Sequence, residues 1–540
     1  MTSTAVLNGT SHADVDFDLR EALNAGGGSL EPESLPQRAT IRSRLGAFAA
    51  AHRVSLIIVG VLCLVTTTIQ AWGIAGWPAR YDDEGTYVAQ AWAVQHWGQL
   101  GHYTYWYDHP PLGWLLLALL DWPAQAIGHT SNAIAAGRES ILILGAINAA
   151  LVYCLARRLG MRRGFAALAL LVFTLCPLAL NYHRMVWLDN LAMPWLLGSF
   201  VLALSPHRRL WATAGSGACF ALALLTKETV FVLLPALLVA VWQGTDRATR
   251  RYALTAFGTA LVLFVAFYPL MALVKNELLP GPGHVSLWNG IKFQLFGRAS
   301  SGSVFSHTSL SRKYVNEWLY LDKWLLASSL VLAPTALLVA RLRPVAIALL
   351  VLAAIMLRPG YLPGPYVVAV LPFAALVVVG LADRLWSVGR RSSHRIVRLT
   401  GPAAATAAVA AAAVAVGPAW ARMDHKEMTF NADAPVQQAE TWIYHHVPRT
   451  NRMLVDDTFW VDLVEHGFAP NRVVWYYKLG TDSQVDRRYP AGWRGFDYVI
   501  SSDVLRSGST VEAHTAVLHS RVVARFGTGA RRIEVRRIGA

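Results

Sequence analysis

Apolar runs of roughly 17–25 residues recur along the chain, and a run of that length is what an α-helix needs to cross a lipid bilayer. Inside hydrocarbon every backbone N–H and C=O must be satisfied within the spanning elements themselves. Such a chain therefore folds as a bundle of helices, with its polar chemistry pushed into the connectors. Of the 540 residues 54% are hydrophobic and only 15% charged, which excludes an ordinary soluble protein. The formal net charge of +15 is accounted for by basic cytoplasmic connectors and calls for no nucleic acid. Cys63, Cys154, Cys176 and Cys219 all lie in apolar runs without CxxC or metal-like spacing, and read as buried small hydrophobes.

The basic connectors set the orientation. "ARRLGMRRG", "SPHRRL", "GTDRATRR", "ARLRP" and "DRLWSVGRRSSHRIVR" fall on one side if the chain makes about eleven crossings, with the N-terminus inside and the C-terminus outside. Residues 1–53, polar and without a secretory apolar core, read as a disordered cytoplasmic tail carrying Arg38, Arg42, Arg44 and Arg53. Residues 54–420 form the membrane domain. "PLGWLLLALLDWPAQAIG" is nearly long enough to cross, but a crossing there would invert the basic connectors. It is expected to lie as an amphipathic or re-entrant helix at the outer interface. The outer connectors are then residues 78–128 and 276–323, with the turns "NYHRMVWLDN", "LTKET" and "RPGYLPGPY". Residues 424–540 have soluble composition, and alternate helix-like and strand-like segments predict a small extracytoplasmic α/β domain. Ala-, Arg-, Trp- and Val-rich usage suits a bacterial plasma membrane protein.

Unusual charge gathers on the outer side. "RYDDEGTYVAQAW" places Asp82, Asp83 and Glu84 directly behind the first apolar run, and the same loop carries Tyr87, His96, His102, Asp108 and His109 among Trp and Tyr residues. Acids alone can merely hydrate a loop, and aromatics can merely anchor at the interface. The company of Arg184 and Asp189 in the second turn, Lys227 and Glu228 in the third, and Arg358 and Tyr361 in the fourth argues for more. Ionisable groups at bilayer depth are costly and mark substrate or ion paths. A carboxylate suits proton removal from an acceptor hydroxyl, and interfacial cations suit a phosphate whose lipid tail stays in the bilayer. In the last domain, Asp456, Asp457 and Asp462 with Trp460, Trp475, Tyr476 and Tyr477 fit either strand ends and core or a glycan-binding face.

These residues carry a resemblance. "DEGTY", "HPPLGW" and "RMVWLDN" resemble, in order and spacing, the Asp-Glu, PPL and Arg-x-x-x-Leu-Asp motifs of the GT-C glycosyltransferases that use polyprenyl- or dolichyl-phosphate sugars. The chain is most similar to the protein O-mannosyltransferase and aminoarabinose transferase families, over about residues 54 to 385. It departs from them at Asp82, an extra acid, at Trp114, and at His109 where the aminoarabinose transferases have Lys. The resemblance implies an inverting transfer with Asp83 as general base, Glu84 supporting it or orienting the acceptor, and Asp189 positioning substrates. Arg184, Lys227 and Arg358 would hold the donor phosphate, and His109, Asp108 and Tyr87 would shape the loop or touch the acceptor. No cofactor is required. Asp83, Glu84, Asp189 and nearby histidines are the groups that would take a divalent metal. The rival reading is a transporter or flippase of lipid-linked sugars, which would place its ionisable groups at mid-membrane within a repeat.

Overall fold

The computed structural model describes residues 41–127, 132–207, 209–391, 393–508 and 510–539. Most of the expected N-terminal tail lies outside these, and the first described helix, Ile41–Ala71, already contains Arg42, Arg44 and Arg53. Seven described helices are long and apolar enough to span a membrane, and five shorter apolar helices lie between them. Length alone therefore accounts for seven of the roughly eleven crossings expected. The helix Leu112–Ile127 forms where the non-crossing segment was expected. The connector 276–323 is more ordered than its composition implies. It holds the short helix Leu287–Lys292 and the start of the helix Leu310–Leu338, which breaks at Asp322.

The long helix Arg395–Thr429 runs through the Ala-rich stretch and beyond Asp424, so the soluble fold starts at the helix Ala434–His446. Its five-stranded sheet has the order β2-β1-β3-β5-β4. β1 (Met453–Val455) pairs in parallel with β2 (Val473–Trp475) and β3 (Tyr498–Ser501). β5 (Ile533–Ile538) runs antiparallel to β3 and to β4 (Ser520–Phe526). The three parallel strands are buried throughout, as their apolar runs require.

This domain is bolted to the loop of acids. Arg80 pairs with Glu440 at 2.6 Å and Asp462 at 3.3 Å, and its backbone N–H donates to Asp433 at 2.8 Å. Asp462 also accepts from the Ala133 N–H at the start of a spanning helix, at 2.7 Å. Immediately after the acids, Gly85 packs against the backbone of Asp457 and Thr458, where a Cβ would run into the main chain. Gly85→Ala is expected to cost roughly 1–3 kcal/mol, as overpacking at a site that cannot yield does. A lowered unfolding midpoint in detergent would show it, and an unchanged midpoint would contradict the close approach.

Candidate functional site

The helix Asp82–Trp97 begins on the three acids, which explains their placement locally. Negative charge in a first helical turn opposes the positive end of the helix dipole, and the Glu84 carboxylate accepts from the Tyr81 N–H at 3.2 Å to cap it. The three acids then part company. Glu84 is wholly enclosed and takes a two-pronged bond from Arg138, at 2.8 and 2.6 Å, plus the Val186 N–H at 2.9 Å. Arg138 in turn donates to the carbonyls of Ile74 and Pro78. With its oxygens so occupied, Glu84 cannot face an acceptor, and support of the neighbouring acids is the role left to it.

Asp82 and Asp83 are half-buried instead. Burial, then the charges of Asp83 and Asp456, pushes the Asp82 carboxyl up to about 8. Burial also raises Asp83, while Lys227, His109 and Arg298 pull it back. The Asp83 carboxylate accepts no hydrogen bond from the described residues, in contrast to Glu84.

Lys227 closes the helix Leu210–Thr226, where the chain enters the turn Glu228–Leu233. Its buried Nζ lies 3.3 Å from His109 Nε2, and His109 Nδ1 lies 3.0 Å from Glu228. Both ring nitrogens are thereby engaged, one by the ammonium and one by the carboxylate. His109 thus connects the first loop to the third turn, and its carbonyl accepts from the Tyr105 hydroxyl at 2.7 Å. Asp189, buried in the first turn of the helix Leu188–Ala203, has Lys227, Glu228 and His109 as its charged neighbours. Buried Tyr87 feels the charges of Asp83, Asp189 and Asp108. Asp83, Asp189, Lys227, His109, Asp108 and Tyr87 therefore form one cluster of mutually interacting groups.

Two expected members do not join them. The strongest charges on Asp83 come from Lys227, His109, Arg298 and Asp108, and neither Arg184 nor Arg358 is among these. Arg184 is fully buried, donates to the Trp72 carbonyl at 2.7 Å, and has Arg138 and Glu427 as its charged neighbours. Arg358 follows the helix Arg343–Leu357 and is exposed. The cation that the sequence reading missed is Arg298. Its guanidinium bonds Gln294 at 2.7 Å and lies 4.5 Å from the Tyr361 ring centroid. Gln294 in turn donates to the Asp108 carbonyl, so the two long connectors meet here. The only signal was a single Arg in the polar stretch "FGRASSG", without periodicity to give it a direction.

Among the described residues no group of three or more His, Cys, Asp or Glu is arranged to hold a metal ion. The acids of the last domain are largely structural. Asp456 accepts from the Thr458 N–H at 3.2 Å at a helix start, Asp457 accepts from the Tyr477 hydroxyl at 2.9 Å and from Thr86, and Asp462 serves Arg80.

A family model described as dolichyl-phosphate-mannose-protein mannosyltransferase matches residues 108–271, from the His109 loop through Asp189 and Lys227. Among curated proteins none matches. Among solved structures, ArnT from Cupriavidus metallidurans in the apo state aligns with a TM-score of 0.57 at 18% identity, covering 90% of this chain and 98% of that one. The same protein bound to undecaprenyl phosphate gives 0.54 at 16% identity, with 90% and 98% covered. The Archaeoglobus fulgidus oligosaccharyltransferase in its apo form gives 0.50 at 12% identity, covering 84% of this chain and 70% of that one. Fold, motif order and clustered charge together identify the chain as a membrane protein of ArnT-like, GT-C fold that resembles the aminoarabinose transferases and protein O-mannosyltransferases.

Proposed function

We propose that the protein transfers a sugar from a polyprenyl-phosphate-linked donor to a hydroxyl acceptor (protein, lipid or envelope glycan) on the extracytoplasmic face of a bacterial plasma membrane, with inversion. The observation that carries this reading is one cluster in which Asp83, free of hydrogen bonds from the described residues, feels the charges of the buried Lys227 and the half-buried Arg298. The match to a mannosyltransferase family model and the likeness to a structure that binds undecaprenyl phosphate support it.

Asp83 takes the proton of the acceptor hydroxyl as its oxygen attacks the anomeric carbon. The bond from that carbon to the phosphate oxygen breaks, and the electron pair leaves on the polyprenyl phosphate. Lys227 and Arg298 stabilise the departing charge, so the leaving group needs no acid. His109 and Glu228 hold Lys227 in place, Asp189 balances it, and Glu84 fixes the helix that presents Asp83. Arg298 takes the role that the sequence gave to Arg184 and Arg358. The step as written requires no metal. If a divalent ion takes part, Asp83 and Asp189 are its available carboxylates, since Glu84 is committed to Arg138.

The test uses the purified chain in liposomes with labelled polyprenyl-phosphate sugars and a crude envelope fraction as acceptor. Release of lipid phosphate is expected; labelled lipid crossing the bilayer without release would establish the flippase instead. Lys227→Ala is expected to lower turnover about 10²–10³-fold, the cost of one lost charge-stabilising donor. Lys227→Arg should not restore it, because the fork cannot replace a point charge bonded to His109. The pH profile adds a further check. A base with a raised pKa is lost to protonation earlier as pH falls, so the acid limb of kcat/KM should lie above the ordinary carboxylate range, about 3.9.

A further inference from the structure

A cavity of about 570 Å³ lies between the loop that follows the helix Asp82–Trp97 and the C-terminal domain. Trp97, His102 and Tyr103 line it from the loop, and Gln484, Arg488 and Tyr489 from the domain. Among the described residues no carboxylate belongs to its lining. His102 stacks on Trp460 at 3.9 Å and meets the edge of Trp475 at 4.5 Å, and neither of its ring nitrogens has a partner. Burial, then the charge of Lys478, holds its pKa well below the usual value, so the ring is neutral and packs as an aromatic face among Trp460 and Trp475. Buried polar atoms without partners are uncommon and call for an explanation.

Rings, the three amides of Gln99, Asn471 and Gln484, and one guanidinium form a specific chemical set. Aromatic faces take the apolar C–H faces of sugar rings, and the amides and guanidinium take their hydroxyl rims. A lipid chain would want a lining without these polar groups, and a phosphate would want more than one cation. The position is equally informative. Trp97 ends the helix on which Asp83 stands in the first turn, fourteen residues away and therefore about 21 Å along the axis. That distance is too great for the reacting hydroxyl and suits a remote part of the same molecule, whose binding energy can be spent at the reacting centre.

We propose that this cavity is a saccharide-binding site that holds the glycan portion of an extended acceptor. Its identification as an acceptor site rests on the transferase reading; the saccharide site itself does not. The test is calorimetric titration of the full chain in nanodiscs with mannotetraose and with tetrasaccharides of galactan and arabinan. At least one should bind, and Trp97→Ala and Arg488→Ala should each weaken it roughly tenfold, as loss of one aromatic platform or one forked donor does. Asp83→Asn should leave it unchanged. Both side chains are exposed, although the Trp97 ring also meets the edge of Trp460 at 6.4 Å, so an unchanged unfolding midpoint is required of each variant. Failure of all three saccharides to bind, or binding indifferent to both substitutions, overturns the site. Saccharide binding in a protein that releases no lipid phosphate would leave the site standing and overturn the transferase reading alone.

Discussion

Asp83→Asn is expected to lower sugar transfer by about 10²–10⁴-fold, the usual contribution of a positioned general base, with little change in folding. The amide keeps the shape of the carboxylate and removes only its ability to take a proton. Folding is spared because the Asp83 carboxylate accepts no hydrogen bond from the described residues, whereas its neighbour Glu84 accepts from Arg138, Tyr81 and Val186. Single-turnover release of lipid phosphate isolates the chemical step from binding and product exit. Asp82→Asn is the control. Asp82 carries a carboxyl pushed up to about 8 and is largely protonated at neutral pH, so its loss should cost far less. Retention of more than a tenth of the wild-type rate in Asp83→Asn would move the base to Asp189, whose Oδ2 is buried without a hydrogen-bond partner.

Arg138→Ala should give the largest stability loss, about 3–5 kcal/mol, because it strands the Glu84 charge in an enclosed site. The pair is closed to solvent on both sides, with a shortest N–O distance of 2.6 Å. The double substitution Glu84→Leu with Arg138→Met removes both charges and is expected to recover most of the loss. Unfolding midpoints in detergent, or rates of thermal inactivation where unfolding is irreversible, distinguish the two. A double variant no better than the single one would show that the pair sets the loop geometry and does more than balance charge.

The sequence made the apolar spans legible, because bilayer thickness imposes a length on them that little else imposes. It also made the motif residues legible, since Asp83, His109, Asp189 and Lys227 each sit at or just outside the end of a helix, and the structure gathers these four. What it hid was direction. Arg184 and Asp189 share one turn, yet Arg184 turns to the Trp72 carbonyl while Asp189 faces Lys227, a split that residue spacing cannot show. Glu84 and Asp83 are adjacent, and one helical step separates an enclosed ion pair from an open carboxylate. Arg298 was invisible because its placement depends on two connectors packing together, through Gln294 and the Asp108 carbonyl. In the last domain β4 was missed since most of its residues are exposed at the sheet edge, which left no apolar alternation to read.

The Arg80 anchor to Glu440 and Asp462, with Gly85 seated on the Asp457 backbone, has a bearing on how substrates arrive. A lid needs a hinge, and here the joint between domain and bundle is a dry, multiply bonded seam. The mouth of the cluster is accordingly built before anything enters it. On the proposed transferase reading, the donor would drift in sideways through the lipid and the acceptor would thread in from the water, neither of them swept in by a closing domain. Traffic through a fixed doorway, and the sideways diffusion of a long lipid, would then set the pace of turnover.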